Sequence, residues 1–249
     1  MQETTSAQKV LVVLPVYNEE IILAENTKRT AEFMRASFPT KNFKIVIADN
    51  NSSDRTGEIG RKLAEELPEV EYFFLNRQGK GLAWRQAFQK YQVDIYIVMD
   101  SDLAVELEAV KRLVETINDG YDLVVGSRFL KQSKLVRSVW RDFVSRTYRF
   151  LARKILRTKV SDFQCGFKAI NNQVRDRVLP LTKDDGFFLD TEIIVWAEKL
   201  GFKVKEIPVD WSEFRNTKRK STVKVWETTV RYLSQIKQLR DNLDKYKVE

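Results

Sequence analysis

Four short apolar runs, each ending abruptly at a turn-forming or charged residue, alternate with stretches whose apolar residues recur at helical spacing. The runs are Lys9–Pro15 (K-V-L-V-V-L-P), Phe43–Asp49 (F-K-I-V-I-A-D), Val70–Leu75 (V-E-Y-F-F-L) and Asp94–Asp100 (D-I-Y-I-V-M-D). Between them, helical patterns run from after Glu20 to about Phe38, from Arg55 to Leu67, and from the glycine-containing turn Asn76–Gly81 through Tyr91. Strands and helices alternating at this spacing specify βαβ units in an α/β fold with a mostly parallel sheet. Right-handed crossovers then bring all the strand ends to one side. Pro15, Asp49, Lys80, Asp100 and Asp102 are therefore expected to meet at one crevice, at the carboxyl edge where open α/β sheets bind ligands.

The fourth run ends in Asp100-Ser101-Asp102. Two carboxylates so close repel unless a cation sits between them, and a hard divalent ion with oxygen ligands suits such a pair and also carries substrate phosphates. The competing reading makes the two acids the cap of a following helix, near Val105 to Asp119.

Residue types remove several chemistries. The chain has no histidine, which excludes Ser-His-Asp triads, Cys-His pairs and histidine zinc sites. The single cysteine, Cys165, excludes an internal disulfide and reads as a small buried residue rather than a nucleophile. No signal peptide is expected from M-Q-E-T-T-S-A-Q-K, and the apolar runs fall far short of the ~20 residues that cross a bilayer.

The net charge of +8 is local. Lys131 to Lys159 holds ten basic residues and one acid, Asp142, so the rest of the chain carries a net −1. Within this block Trp140, Phe143, Val144, Thr147, Tyr148, Leu151 and Ile155 recur at helical spacing with arginines between them. This predicts a basic amphipathic helix suited to an anionic membrane face or lipid phosphate. Tyr121–Gly126 reads as a further strand, and Gly186–Glu192 opens a helix that stops near Leu200 at Gly201. Phe202–Val209, which contains Pro208, reads as an outer strand. Val223 to about Leu239 reads as a helix, and the last ten residues, mostly charged, are expected to fray.

Six motifs follow one another in order: Pro15-Val16-Tyr17-Asn18-Glu19, Asp49 to Thr56, Gly79-Lys80-Gly81, Asp100-Ser101-Asp102, Gly126-Ser127-Arg128 and Asp162 to Lys168. With these the chain resembles the family-2 glycosyltransferases of the polyprenyl-phosphate type, the dolichyl-phosphate mannose and glucose synthases, from Val10 to about Arg240. The resemblance implies a glycosyltransferase-A (Rossmann-like) fold with C-terminal amphipathic helices. It implies one domain: a flexible 1–8, a nucleotide-sugar half over 9–130 and an acceptor- and membrane-facing half over 131–249. It also implies transfer of a hexose from UDP-glucose or GDP-mannose to a polyprenyl or dolichyl phosphate, with inversion and with Mg²⁺ or Mn²⁺.

By this resemblance Pro15, Tyr17, Glu19, Asp49, Asn51, Lys80, Asp100, Ser101 and Asp102 bind the nucleotide sugar, and Asp100 and Asp102 hold the metal. Arg128 joins Asp100 and Asp102 in catalysis and, with Arg137, Arg141 and Lys220, holds the acceptor phosphate. Asp190 and Glu192 are candidates for orienting the sugar, or are simply helix-start acids. The chain departs from the mannose-synthase pattern at Ala104, where a glutamine is often found. The expected partners are the two substrates, a membrane surface at its cytoplasmic face and an anchoring protein, with no nucleic acid. Three other readings compete: a family-2 enzyme with a sugar or protein acceptor, a nucleotidyltransferase, and a basic nucleic-acid-binding module.

Overall fold

The computed structural model describes residues 8–38, 42–133, 135–136, 152–212 and 225–246, with the backbone alone at 135–136 and 225–230. Its elements are β1 (Lys9–Val16), α1 (Leu23–Ser37), β2 (Asn42–Asp49), α2 (Thr56–Glu66), β3 (Val70–Phe74), α3 (Lys80–Lys90), β4 (Ile95–Val98), α4 (Ala109–Asn118), β5 (Leu123–Ser127) and β6 (Leu135–Val136). A helical segment over 152–156 (α5) follows, then β7 (Lys168–Asn171), α6 (Asn172–Arg177), α7 (Leu189–Lys199), β8 (Val204–Pro208), β9 (Trp211–Ser212) and α8 (Val225–Lys245).

The apolar runs are continuous because both faces of the sheet are covered. Along β1, Leu11 and Val13 enter one core while Val10, Val12, Leu14 and Val16 enter the other. Tyr96 and Val98 of β4 divide from Ile95 and Ile97 in the same way. The first core is closed by α3, α7 and α8 through Trp84, Phe88, Ile193, Ile194, Ile236 and Leu239; the second is closed by α1, α2 and α4 through Leu23, Met34, Leu63 and Leu113. Each such side chain taken from water contributes roughly 1.5–3 kcal/mol.

The seven strands lie in the order β3-β2-β1-β4-β7-β5-β8. All pair in parallel except β7, which runs antiparallel between β4 and β5. The reversed strand matters for the site. Its first residue, Lys168, lies opposite Val98 and Val125, so the Asp162–Lys168 motif is delivered to the carboxyl edge where the parallel strands end. Four residues with a lysine among them gave the sequence no strand signature, so β7 was not expected. Asn171 ends it by accepting the Val174 amide at 3.0 Å, which caps α6.

Three expectations need correction. α4 starts at Ala109 rather than near Val105, because Val105 bridges to Trp211 and 107–108 form a turn instead. Residues 240–246, expected to fray, are ordered instead: α8 runs to Lys245, with Leu243 buried and Tyr246 packed edge-on against Trp196 at 5.1 Å, while 247–249 lie outside the described residues. In α5, Ile155 is exposed, while Ala152 and Leu156 turn inward. The remainder of the expected basic helix, residues 137–151, lies outside the described residues.

Two other expectations match. β8 is an edge strand, paired only with β5 among the described strands, and Pro208 ends it. Gly201 terminates α7 with φ +81° as its amide reaches Glu198 O and the Phe202 amide reaches Ala197 O, the paired bonds of a left-handed helix stop. Alanine there is expected to destabilise by about 1 kcal/mol, read from the urea midpoint, because a Cβ strains this φ.

Candidate active site

Three loops at the carboxyl edge are tied together by short polar residues. The Asn18 amide donates to Ser52 Oγ (3.0 Å), Asn18 Oδ1 accepts the Ser53 amide (2.8 Å), and the Glu19 amide donates to Thr56 Oγ1 (2.7 Å). Asn18 and Asn51 both adopt left-handed φ, +55° and +61°, which asparagine tolerates better than most residues. The 76–79 turn joins through Gln78, which donates to Tyr17 Oη at 2.9 Å, and through the Gly79 amide on Asn50 Oδ1.

Pro15 lies within β1 opposite Ala48, and Val16 stands opposite Asp49. Asp49 is buried, and its carboxylate accepts the Ser52 amide (2.9 Å) and the Tyr72 hydroxyl (2.6 Å). Burial, then this carboxylate, raises the Tyr72 phenol far above its ordinary pKa. Gly57 and Gly60 leave room for the ring: a Cβ on Gly60 would stand 2.5 Å from it. Asp49 thus braces the loop from inside, and Tyr17, half-exposed, faces out.

At the tip of β4, Lys80 Nζ sits 2.5 Å from Asp100 Oδ1. Burial by itself would lower the Lys80 pKa, but Asp100, Asp190 and Asp102 together raise it, so the ammonium keeps its charge. Asp102 Oδ1 accepts the Ala104 amide at 3.1 Å, Leu103 takes φ +51°, and the buried Ser101 carbonyl accepts Asn26 Nδ2 at 2.9 Å. With α4 beginning at Ala109, neither acid caps it.

Gly166 closes the site from the other side. A Cβ there would lie 2.4 Å from Asp100 Oδ2 and 2.6 Å from both Cγ and Oδ1. Among the described residues no group of three acids, cysteines or histidines gathers for a metal. Two hard carboxylates in a cradle that only glycine leaves open, with an ammonium already on one of them, nevertheless fit a divalent ion whose other ligands are water and diphosphate oxygens.

The second half of the chain adds two ion pairs. Arg128 grips Asp162 with a fork: Nε to Oδ2 and Nη2 to Oδ1, both 2.8 Å, while its amide also reaches Oδ2 at 3.0 Å. Burial opposes the Asp162 charge, but the Arg128 guanidinium prevails and holds the carboxyl below the usual carboxylate range. Lys168 Nζ pairs with Asp190 Oδ1 at 2.8 Å, both buried. Glu192 accepts the Lys183 and Asp184 amides, each at 2.8 Å, and so serves the 182–188 loop. Burial raises its pKa. Arg137, Arg141 and Lys220 lie outside the described residues.

Sequence reasoning passed over Tyr72, Gly166 as the neighbour of Asp100, and the Lys168 partnership with Asp190. Only Gly166 carried a signal, a glycine inside a quoted motif with no turn to require it. Cys165 is buried, and burial pushes its thiol up to about 12. It is expected to be inert to thiol reagents at pH 8 in the native protein and to react fully in denaturant, as a chromogenic disulfide titration would read.

Comparison with known proteins adds the following. The sequence profile described as "Glycosyl transferase family 2" matches residues 11–179. Glycosyltransferase AglD of Haloferax volcanii is 34% identical over 217 residues, 86% of this chain and 35% of that protein. A dolichyl-phosphate beta-glucosyltransferase of Trichomonas vaginalis is 29% identical over 222 residues, 84% of this chain and 67% of that protein. The chain thus spans from about a third to two thirds of these relatives' lengths. Glucosyl-3-phosphoglycerate synthase of Mycobacterium tuberculosis, in complex with Mn²⁺, UDP and phosphoglyceric acid, superposes with a TM-score of 0.71 at 16% identity, over 94% of this chain and 78% of that one. That likeness is one of fold, the glycosyltransferase-A sheet.

Proposed function

The chain belongs to glycosyl transferase family 2, and on that premise we propose that it moves a hexose from a nucleotide-diphosphate sugar, UDP-glucose or GDP-mannose, to a polyprenyl or dolichyl phosphate with inversion. The observation that carries this reading is the Lys80–Asp100–Asp102 cluster, set at the sheet's carboxyl edge and left open by Gly166. Such a cluster suits a diphosphate leaving group, and a relative named as a dolichyl-phosphate glucosyltransferase covers most of the chain.

Asp100 and Asp102 would hold a Mg²⁺ or Mn²⁺, which would supply Lewis-acid stabilisation of the departing diphosphate. Lys80, kept charged by its acidic neighbours, neutralises a diphosphate oxygen. The nucleoside lies in the corner made by Tyr17, Glu19 and Asn51, whose geometry Asp49 maintains from behind. The acceptor phosphate is already an anion at neutral pH, so attack on the anomeric carbon requires no proton removal, in keeping with a chain without histidine. Positioning and charge are what the protein must supply. Arg128 holds that phosphate together with Arg137, Arg141 and Lys220. Its forked pair with Asp162 fixes the guanidinium plane. Asp190 reaches the sugar side through Lys168 and Lys80, whereas Glu192 works on the loop.

Residues 9–130 form the donor half and 131–249 the acceptor half, although loop 182–188 also borders the donor site. Among the described residues no helix is long and apolar enough to cross a membrane. The Lys131–Lys159 block attaches the protein to the anionic cytoplasmic face, alone or with an anchoring protein, and nucleic acid is not its partner.

Incubation with radiolabelled UDP-glucose or GDP-mannose, polyprenyl phosphate and Mn²⁺ is expected to put label into organic-extractable lipid, and Asp102→Asn to abolish it. Label in a water-soluble product instead transfers the proposal to another acceptor. Absence of both transfer and nucleotide-sugar binding overturns the proposal.

A further inference from the structure

We propose that Phe187 is the platform on which the hexose ring of the nucleotide sugar rests, an inference that depends on the function proposed above. Phe187 and Phe188 are adjacent and point opposite ways. Phe188 is buried against Tyr232, with ring centroids 5.9 Å apart, whereas Phe187 is 48% exposed. A single exposed aromatic side chain is ordinarily unremarked on a protein surface. This one differs in how it is held and in what it borders.

The backbone on both sides of Phe187 is fastened. Asp184 Oδ1 accepts the Gly186 amide (2.7 Å) and the Phe188 amide (3.1 Å), and Gln235 of α8 donates to Asp184 Oδ2 at 2.5 Å. Asp185 is gripped by Arg77 at 2.6 Å and also by Arg85, while its carbonyl accepts the Leu82 amide at 3.0 Å. Gly79 and Gly81 let this strap lie directly on the start of α3: a Cβ on either would stand 2.5 Å from the Asp185 or the Gly186 carbonyl. The ring is therefore presented outward by a fixed frame.

It is presented to the donor site. Lys80 Nζ is 5.3 Å from the Phe187 ring centroid and 2.5 Å from Asp100 Oδ1. Tyr17, another exposed aromatic residue at this edge, meets the 76–79 turn, which leads into Lys80, through Gln78, beside the loops that form the nucleoside corner. In a nucleotide sugar the hexose is the group beyond the diphosphate. With the diphosphate at Lys80 and Asp100, and the nucleoside toward Tyr17, the hexose falls beside Phe187.

The chemistry matches. A pyranose presents a face of C–H bonds, weakly positive at hydrogen, that suits the negative face of an aromatic ring. An apolar wall beside a few fixed polar groups is the usual make-up of a small-molecule site. Phenylalanine offers the sugar no hydrogen bond, so Phe187 reads ring shape and leaves the hydroxyls to its polar neighbours.

The test is calorimetric titration of the intact chain with Mn²⁺ and UDP, UDP-glucose, GDP or GDP-mannose, for the wild type, Phe187→Ala and Phe187→Tyr. For the sugar donor that the wild type binds, alanine is expected to weaken affinity roughly threefold to tenfold. The matching nucleoside diphosphate should bind unchanged, and tyrosine should restore the loss. Equal weakening of diphosphate and nucleotide sugar overturns the proposal, since Phe187 then acts only through Lys80. So does unchanged binding of both, which leaves the glycosyltransferase reading standing. A wild-type chain that binds none of the four ligands overturns the platform and that reading together.

Discussion

Alanine at position 166 is expected to remove metal-dependent sugar transfer while leaving the protein folded. The three nearest atoms to a Cβ at this position all belong to one carboxylate, that of Asp100, and the closest lies at 2.4 Å. Relief comes by turning Asp100 aside, which parts it from Lys80 and from the position it shares with Asp102. Displacing a catalytic group by about 1 Å costs on the order of 100-fold in rate, so kcat should fall at least that far and the metal concentration for half-activity should rise. Since the strain falls on a partly exposed side chain and not on the packed sheet, the thermal midpoint should move little. Measuring activity across a Mn²⁺ series beside a melting curve separates the two effects. A Gly166→Ala enzyme with the wild-type metal response would show that Asp100 does not need its present orientation.

The second large effect is on stability. Asp162→Ala removes the carboxylate that the largely buried Arg128 guanidinium grips and leaves it only the more distant Asp100, and breaking a buried pair from one side costs about 3–5 kcal/mol. The loss should appear as a lower denaturant midpoint. An Arg128→Met, Asp162→Leu double variant, which removes both charges, should recover much of it and remain inactive. The same pair predicts an acid response. The native Asp162 carboxyl titrates below its unfolded value because of Arg128. Its contribution is therefore complete above the ordinary aspartate range, about pH 4, and is given up as pH falls through the native value. Denaturation midpoints taken between pH 6 and pH 3 should fall more steeply for the wild type than for the double variant. Parallel curves would mean that Asp162 contributes nothing through its charge.

Much of the site formed by residues 9–102 was legible because it is built from local patterns. The runs ending at Pro15, Asp49 and Asp100 alternate with helices, and that order alone brought Lys80 toward Asp100, where the structure joins them. Gly201 was readable as a helix stop because the left-handed φ it supplies is a local requirement. The later part of the chain was less legible. β7 is four residues long and antiparallel, so no crossover rule applied to it. Its lysine, which interrupts any apolar alternation, is explained only by Asp190, 22 residues later in the chain. The start of α4 was misplaced because Val105 looks like the beginning of an apolar helical face but is taken by a bridge to Trp211. The charged C-terminal stretch was expected to fray, yet Leu243 and Tyr246 find partners on other elements.

The sequence by itself therefore determined the class of fold, the edge of the sheet where the motifs gather and the pair of carboxylates there, because periodicity and strand ends are encoded within a few neighbouring residues. Only the tertiary structure decided what surrounds that pair. It placed Gly166 against Asp100, turned Asp49 inward onto Tyr72, committed Glu192 to a loop and set Phe187 beside Lys80. These contacts join residues 8 to 107 positions apart. Such pairings follow from how the two cores and the reversed strand pack, which no local pattern of residue types records.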